Sequence, residues 1–132
     1  MLTTEDRSAI TDLINLHGLL TDRGDFEGLH AVFTEGITYD VSALGGSVLV
    51  GLAAIREAAV SLGEANPVAH HVTNIVITDA ENGTAHAYSK GIGIMTDGSV
   101  GSATYDDTLE RTTLGWRIAH RIVRPRRVPL QP

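Results

Sequence analysis

The chain contains no cysteine. That excludes disulfides, thiolate metal sites and a cysteine nucleophile, and it fits a reducing cytoplasm, the location expected here. No stretch approaches the roughly 20 apolar residues of a membrane span. The N-terminus, Met1 to Asp6, lacks the basic start and continuous apolar core of a secretory signal. An excess of positive charge is missing too. The net charge is -6, and phosphate backbones call for a basic face, so no nucleic-acid partner is expected. The one basic cluster, Arg121, Arg124, Arg126 and Arg127, reads as a solvated or subunit-contact surface. Gly45-Gly46 lacks the following Lys-Ser/Thr of a phosphate loop, and no Gly-x-Ser-x-Gly elbow is present. Internal repeats and low-complexity linkers are also lacking.

What remains is one domain, residues 1–132, with 42% hydrophobic residues to fill a core. Helices come first. Thr3 or Thr4 can cap a helix with Glu5 and Asp6 in its first turn. Ile10, Leu13, Ile14, His17 and Leu20 follow with helical spacing on one face. Arg23-Gly24-Asp25 ends it. Asp25 can cap a short second helix that buries Phe26, Leu29, Val32 and Phe33. Thr38 to Val41 reads as a short strand, and Leu52 to Leu62 as a third helix ended by Gly63. Four strands follow: His70 to Thr78, Thr84 to Thr96, Ser99 to Thr112 and Trp116 to Arg124. The turns between them carry Asn82-Gly83, Asp97-Gly98 and Leu114-Gly115. Helices followed by a meander of long antiparallel strands give an α+β fold. Long strands curl, and helices packed on the concave side leave a pocket.

The pair His70-His71 is the strongest chemical signal. Side chains alternate across a strand, so one imidazole must face the interior, and an imidazole moves protons near neutral pH. Regular alternation groups His71 with Thr73, Ile75 and Ile77, and His70 with Val72, Asn74 and Val76. Both sets are largely apolar, so periodicity does not choose between them. Neighbouring strand residues point oppositely and cannot easily share one ion, so no metal site is expected. His17 lies in the apolar helix stripe, where a lone histidine is ordinarily a satisfied core residue. Asp25 has a capping role available. Asp22 does not, and it sits at a helix C-terminus, where negative charge opposes the helix dipole; a residue placed against a local rule points to function. Asp106 and Asp107 lie mid-strand, where Asp is disfavoured, so one is expected to be solvated and the other paired or at the pocket.

The order of these segments resembles the SnoaL-like branch of the nuclear-transport-factor-2-like (NTF2-like) superfamily, which includes polyketide cyclases, ketosteroid isomerases and scytalone and bile-acid dehydratases. The resemblance runs from about Glu5 to about Arg127. It rests on Leu20-Thr21-Asp22-Arg23-Gly24-Asp25-Phe26, on Tyr39 to Gly46, on Gly51 with Ile55, and on His70-His71-Val72-Thr73-Asn74. Tyr105-x-Asp107-x-Leu109-x-Arg111 and Gly115-Trp116-Arg117-Ile118 complete it. It implies a cone of helices on a curved, mostly antiparallel sheet around an apolar pocket, assembled as a homo-oligomer, dimer or trimer. It also implies an acid/base pair of Asp22 and His71, with His17, Tyr105, Phe26 and Tyr39 as substrate contacts and no cofactor. His17 stands where relatives often carry Tyr, and Ile92 and Ile94 stand where dehydratases carry a further polar group. The expected function is a cofactor-independent lyase or isomerase acting on a hydrophobic, oxygenated small molecule such as a polyketide, steroid or terpenoid. The alternatives are a binding protein of the same fold and an assembly subunit of a larger enzyme.

Overall fold

The computed structural model describes all 132 residues. Helix α1 (Thr4–Arg23) starts at a capping box in which the Thr3 hydroxyl accepts from the Asp6 N–H and the Asp6 carboxylate accepts from the Thr3 N–H. Asp6 also accepts from Trp116 Nε1 at 3.1 Å and from Arg111, which anchors the helix start to the far strands. These donors, the Thr3 backbone foremost, hold the Asp6 carboxyl well below the usual carboxylate range. At the other end Gly24 takes the left-handed conformation (φ 66°) that closes the helix. Asp25 then caps a 3₁₀ turn, Glu27–Ala31, by accepting from the Gly28 N–H.

The sheet consists of β1 (Phe33–Asp40), β2 (Val48–Val50), β3 (Ala69–Asp79), β4 (Thr84–Ile94), β5 (Val100–Thr112) and β6 (Gly115–Pro125), with α2 (Leu52–Leu62) between β2 and β3. Its order is β2-β1-β6-β5-β4-β3. Every pairing is antiparallel except β1 with β6. Strand β1 begins at Phe33 rather than Thr38, so Phe33 leaves the short helix in which the sequence placed it, and β2 is an added strand. The hydrophobic core joins Ile10, Leu13 and Ile14 of α1 to Phe33 and Ile37 of β1 and to Leu109, Trp116 and Ile118 of β5 and β6. These helices on a curved, mostly antiparallel sheet are the α+β cone expected.

Two irregularities decide what faces the interior. In β3 the register shifts between Thr73 and Val76, and Asn74 has φ 55°. One extra residue in a strand reverses the alternation beyond it. His70 and Val72 on one side of the bulge therefore share the inner face with Ile75 and Ile77 on the other, while His71, Thr73 and Val76 are exposed. In β6 the partners step from Leu109↔Ile118 to Thr108↔His120, which leaves Ala119 as the extra residue. Trp116 and Ile118 face in before it, Arg121 and Val123 after it. Strand β4 presents only small side chains inward: Ala85, Ala87 and Ser89 are buried, and Gly91 and Gly93 continue the row. Its concave surface leaves room for larger groups from its neighbours.

Asn74 tolerates positive φ better than most residues, and a β-branched side chain does not. Asn74→Val should lower stability by about 1–2 kcal/mol, measured as the urea midpoint, with Asn74→Gly losing less than half as much. Equal stability of the valine variant would mean that β3 has no bulge.

Candidate active site

The residue that meets Asp22 is His70. Its Nδ1 lies 2.6 Å from Asp22 Oδ1, and its backbone N–H donates to both carboxylate oxygens at 3.0 Å. Asp22 ends α1 and His70 begins β3, so the contact joins helix to sheet. Gly18 permits the approach: a Cβ there would sit 2.9 Å from the His70 carbonyl oxygen. The contact between Asp22 and His71 expected from the sequence is not made, because His71 is on the exposed face. That pairing is implied by the family resemblance and not by strand periodicity; the bulge at Asn74 puts His70, rather than His71, on the same face as Ile75 and Ile77.

The second polar group is deeper. Asp107 and Arg121 are cross-strand partners, and both are fully buried. Arg121 donates from Nε to Asp107 Oδ1 at 2.7 Å and from Nη2 to Asp107 Oδ2 at 2.8 Å, a two-pronged pair. Its remaining nitrogen, Nη1, lies 3.1 Å from His17 Nδ1. A guanidinium only donates, so His17 Nδ1 must accept. The His17 ring is therefore neutral, with its proton on Nε2. Burial first, then the charges of Arg121 and His70, hold its pKa well below the ordinary value. Arg121 lies over the Tyr105 ring at 4.3 Å. Burial pushes the Tyr105 hydroxyl up to about 12 and raises that of Tyr39 as well. Both phenols stay protonated throughout the neutral range.

These groups surround one another. The His17 ring is 6.5 Å from that of His70, 6.1 Å from Tyr105, 6.4 Å from Tyr39 and 5.6 Å from Phe33. Gly91 makes space for Tyr105, since a Cβ there would come within 2.5 Å of its ring. A cavity of about 740 Å³ opens beside them, lined by Tyr39, His70 and Tyr105 and bounded by Gly91, Gly93 and Val123. This volume suits a small organic molecule. A second hollow of about 330 Å³ lies on the far side of the pair and is lined by Asp22, Phe26, Pro67 and His70.

Of the residues singled out from sequence, Asp22, His17, Tyr39 and Tyr105 converge here, and Phe26 borders the smaller hollow. Arg121 was missed. It belonged to an apparently solvated arginine cluster, and only the bulge at Ala119 turns it inward. Its partner left a trace, because Asp107 is the inward member of the unusual mid-strand pair. Asp106 is the outward one, 3.4 Å from Arg124.

Helices packed on a curved, mostly antiparallel sheet with a cavity beside it are the architecture of the NTF2-like fold. Within it the chain belongs to the SnoaL-like family, whose domain model matches residues 2–122. The chain is similar to a Novosphingobium aromaticivorans protein provisionally named an aromatic ring hydroxylase, with 30% identity and a TM-score of 0.81, covering 97% of this chain and 94% of that one. An NTF2-like protein with a cystatin-like fold from the same organism is 29% identical, with a TM-score of 0.75 and coverage of 92% and 82%. A third protein of that organism, provisionally named a scytalone dehydratase, shares the fold at 21% identity and a TM-score of 0.73, with coverage of 92% and 84%. No curated protein matches the chain. No helix is long and apolar enough to cross a membrane.

Two outcomes follow from this geometry. Asp107→Leu leaves a buried guanidinium unpaired and should cost about 3–5 kcal/mol, while Asp107→Leu with Arg121→Met should recover at least half of the loss in urea unfolding. A double variant as unstable as the single one would contradict the pairing. His17 gives a pH signature. Above about pH 6.5 it is neutral both folded and unfolded. Below that, the unfolded chain binds a proton that the folded one refuses, so stability falls with acidity by up to about 1.4 kcal/mol per pH unit. His17→Gln, whose amide oxygen can still accept from Arg121, should flatten the slope between pH 6.5 and 5.

Proposed function

We propose that the chain is a cofactor-independent acid/base enzyme, a lyase or isomerase, acting on a hydrophobic, oxygenated small molecule of polyketide, steroid or terpenoid type. The observation that carries this reading is the Asp22–His70 contact at the wall of the larger cavity. Asp22 accepts the Nδ1 proton of His70, leaving Nε2, which makes no hydrogen bond to the protein, as the base. That nitrogen takes a proton from carbon next to a substrate carbonyl, and Asp22 stabilises the imidazolium that results. Charge then builds on the carbonyl oxygen. The Tyr105 hydroxyl, which lines the cavity beside His70, is the available donor. The imidazolium returns its proton either to a distant carbon, which moves a double bond, or to a departing hydroxyl, which leaves as water. In this reading Asp22 orients and His70 transfers the proton. The exposed outer sheet face, which carries Val76 and Tyr88, is the surface a homo-oligomer would use.

The test uses two probe reactions read by the absorbance of a newly conjugated enone: isomerisation of a β,γ-unsaturated ketosteroid and dehydration of a cyclic β-hydroxy ketone. His70→Asn and Asp22→Asn should each lower kcat about 10²–10⁴-fold, with His71→Ala within about twofold of the wild type because His71 faces solvent. If the wild type turns over neither probe, or His70→Asn keeps the wild-type rate, the acid/base reading is wrong.

A further inference from the structure

The larger cavity has an electrostatic asymmetry that the acid/base groups do not use. The chain carries a net charge of -6, yet no Asp or Glu lines this cavity. Its permanently charged lining groups are Arg126 and Arg127, accompanied by Ser102; Ser99 also lines it but donates to Asp97. Both arginines are exposed, and neither takes part in any ion pair of the chain. The backbone fixes where Arg126 leaves the sheet, and Arg127 follows it. Pro125 is the last residue paired with β5, opposite Ala103, and the Arg126 N–H then donates to the Ser102 carbonyl at 2.8 Å. The arginines thus stand beside β5 as the chain leaves the sheet, on the cavity that His70 and Tyr105 line.

We propose that the substrate carries an anionic group, a carboxylate or a phosphoryl group, which Arg126 and Arg127 hold while its apolar body lies against Tyr39, Tyr105 and Val123. The inference rests on the acid/base reading for where the reacting end lies, and it adds the chemical class of the other end. Guanidinium groups suit planar or tetrahedral oxyanions through paired N–H donors. A cavity whose directly lining permanent charges are both positive selects its ligand by charge as well as by shape. The cluster that the sequence suggested as a solvated or subunit surface is therefore divided: Arg121 is structural, Arg124 meets Asp106, and Arg126 and Arg127 are left for the ligand.

Binding tests this without turnover. An anthraquinone carboxylate, its neutral methyl ester and an anthraquinonyl phosphate share one ring body, and each is titrated calorimetrically into the wild type, Arg126→Gln/Arg127→Gln and His70→Asn. At least one anion should bind about tenfold more tightly than the ester, a gain typical of charge-assisted contacts at a partly exposed site. Which anion gains distinguishes a carboxylate from a phosphoryl partner. The preference should shrink as salt rises, fall below about twofold in the double variant with ester affinity unchanged, and persist in His70→Asn. Equal affinity for all three probes, binding of none, or a preference that survives in the double variant overturns the proposal. His70→Asn that keeps both turnover and the preference would defeat the acid/base reading and leave this one standing.

Discussion

A buried guanidinium governs the interior of this protein. Arg121 is wholly excluded from solvent, and a charge so placed is tolerable only when its hydrogen bonds are met. Asp107 meets two of them from the neighbouring strand, His17 meets a third from the helix, and the Tyr105 ring covers a face. Each partner is constrained in return. His17 must be neutral and must accept at Nδ1. Tyr105 must lie across Gly91, where no side chain can be accommodated. The pair raises little net stability by itself, since desolvation offsets most of the attraction. What it does is fix orientations around the cavity.

The glycines and small residues of the concave face follow from the same constraint. Ala85, Ala87, Ser89, Gly91 and Gly93 leave β4 nearly bare inside, so β5, β6 and α1 can project large polar groups over it. Gly18 does the corresponding service for the helix by letting α1 approach β3 at His70. Asp22 and His70 then sit between two hollows, and a proton accepted on one side of the imidazole can be balanced by the carboxylate on the other.

The sequence revealed the elements well and the faces poorly. Caps at Thr3 and Asp25, the glycine stop after Arg23 and the Asn-Gly turn at Asn82 are local chemistry, and each lies where residue type places it. Which side of a strand a residue occupies is not local when a bulge intervenes. Asn74 gave a faint warning, since Asn favours positive φ, whereas Ala119 gave none. The bulge at Ala119 accounts for the failure to recognise Arg121, whereas the preference for His71 rests on the family resemblance, which alternation alone could neither support nor oppose. Asp107 was legible because an acidic pair in mid-strand violates strand preference whatever the register. The parallel pairing of β1 with β6 brings together residues at opposite ends of the chain, and no short window of sequence carries that information.

The central claim is that the interior fixes His17 and His70 in opposite tautomers, so that His70 alone offers a free ring nitrogen at the cavity. Long-range nitrogen-15 NMR of the histidine rings near pH 7.5 measures this directly. The account predicts a protonated Nε2 and a bare Nδ1 for His17, with a protonated Nδ1 and a bare Nε2 for His70. His71 should show the averaged tautomers of an exposed ring. A His70 ring with its proton on Nε2, or averaged like His71, would contradict it.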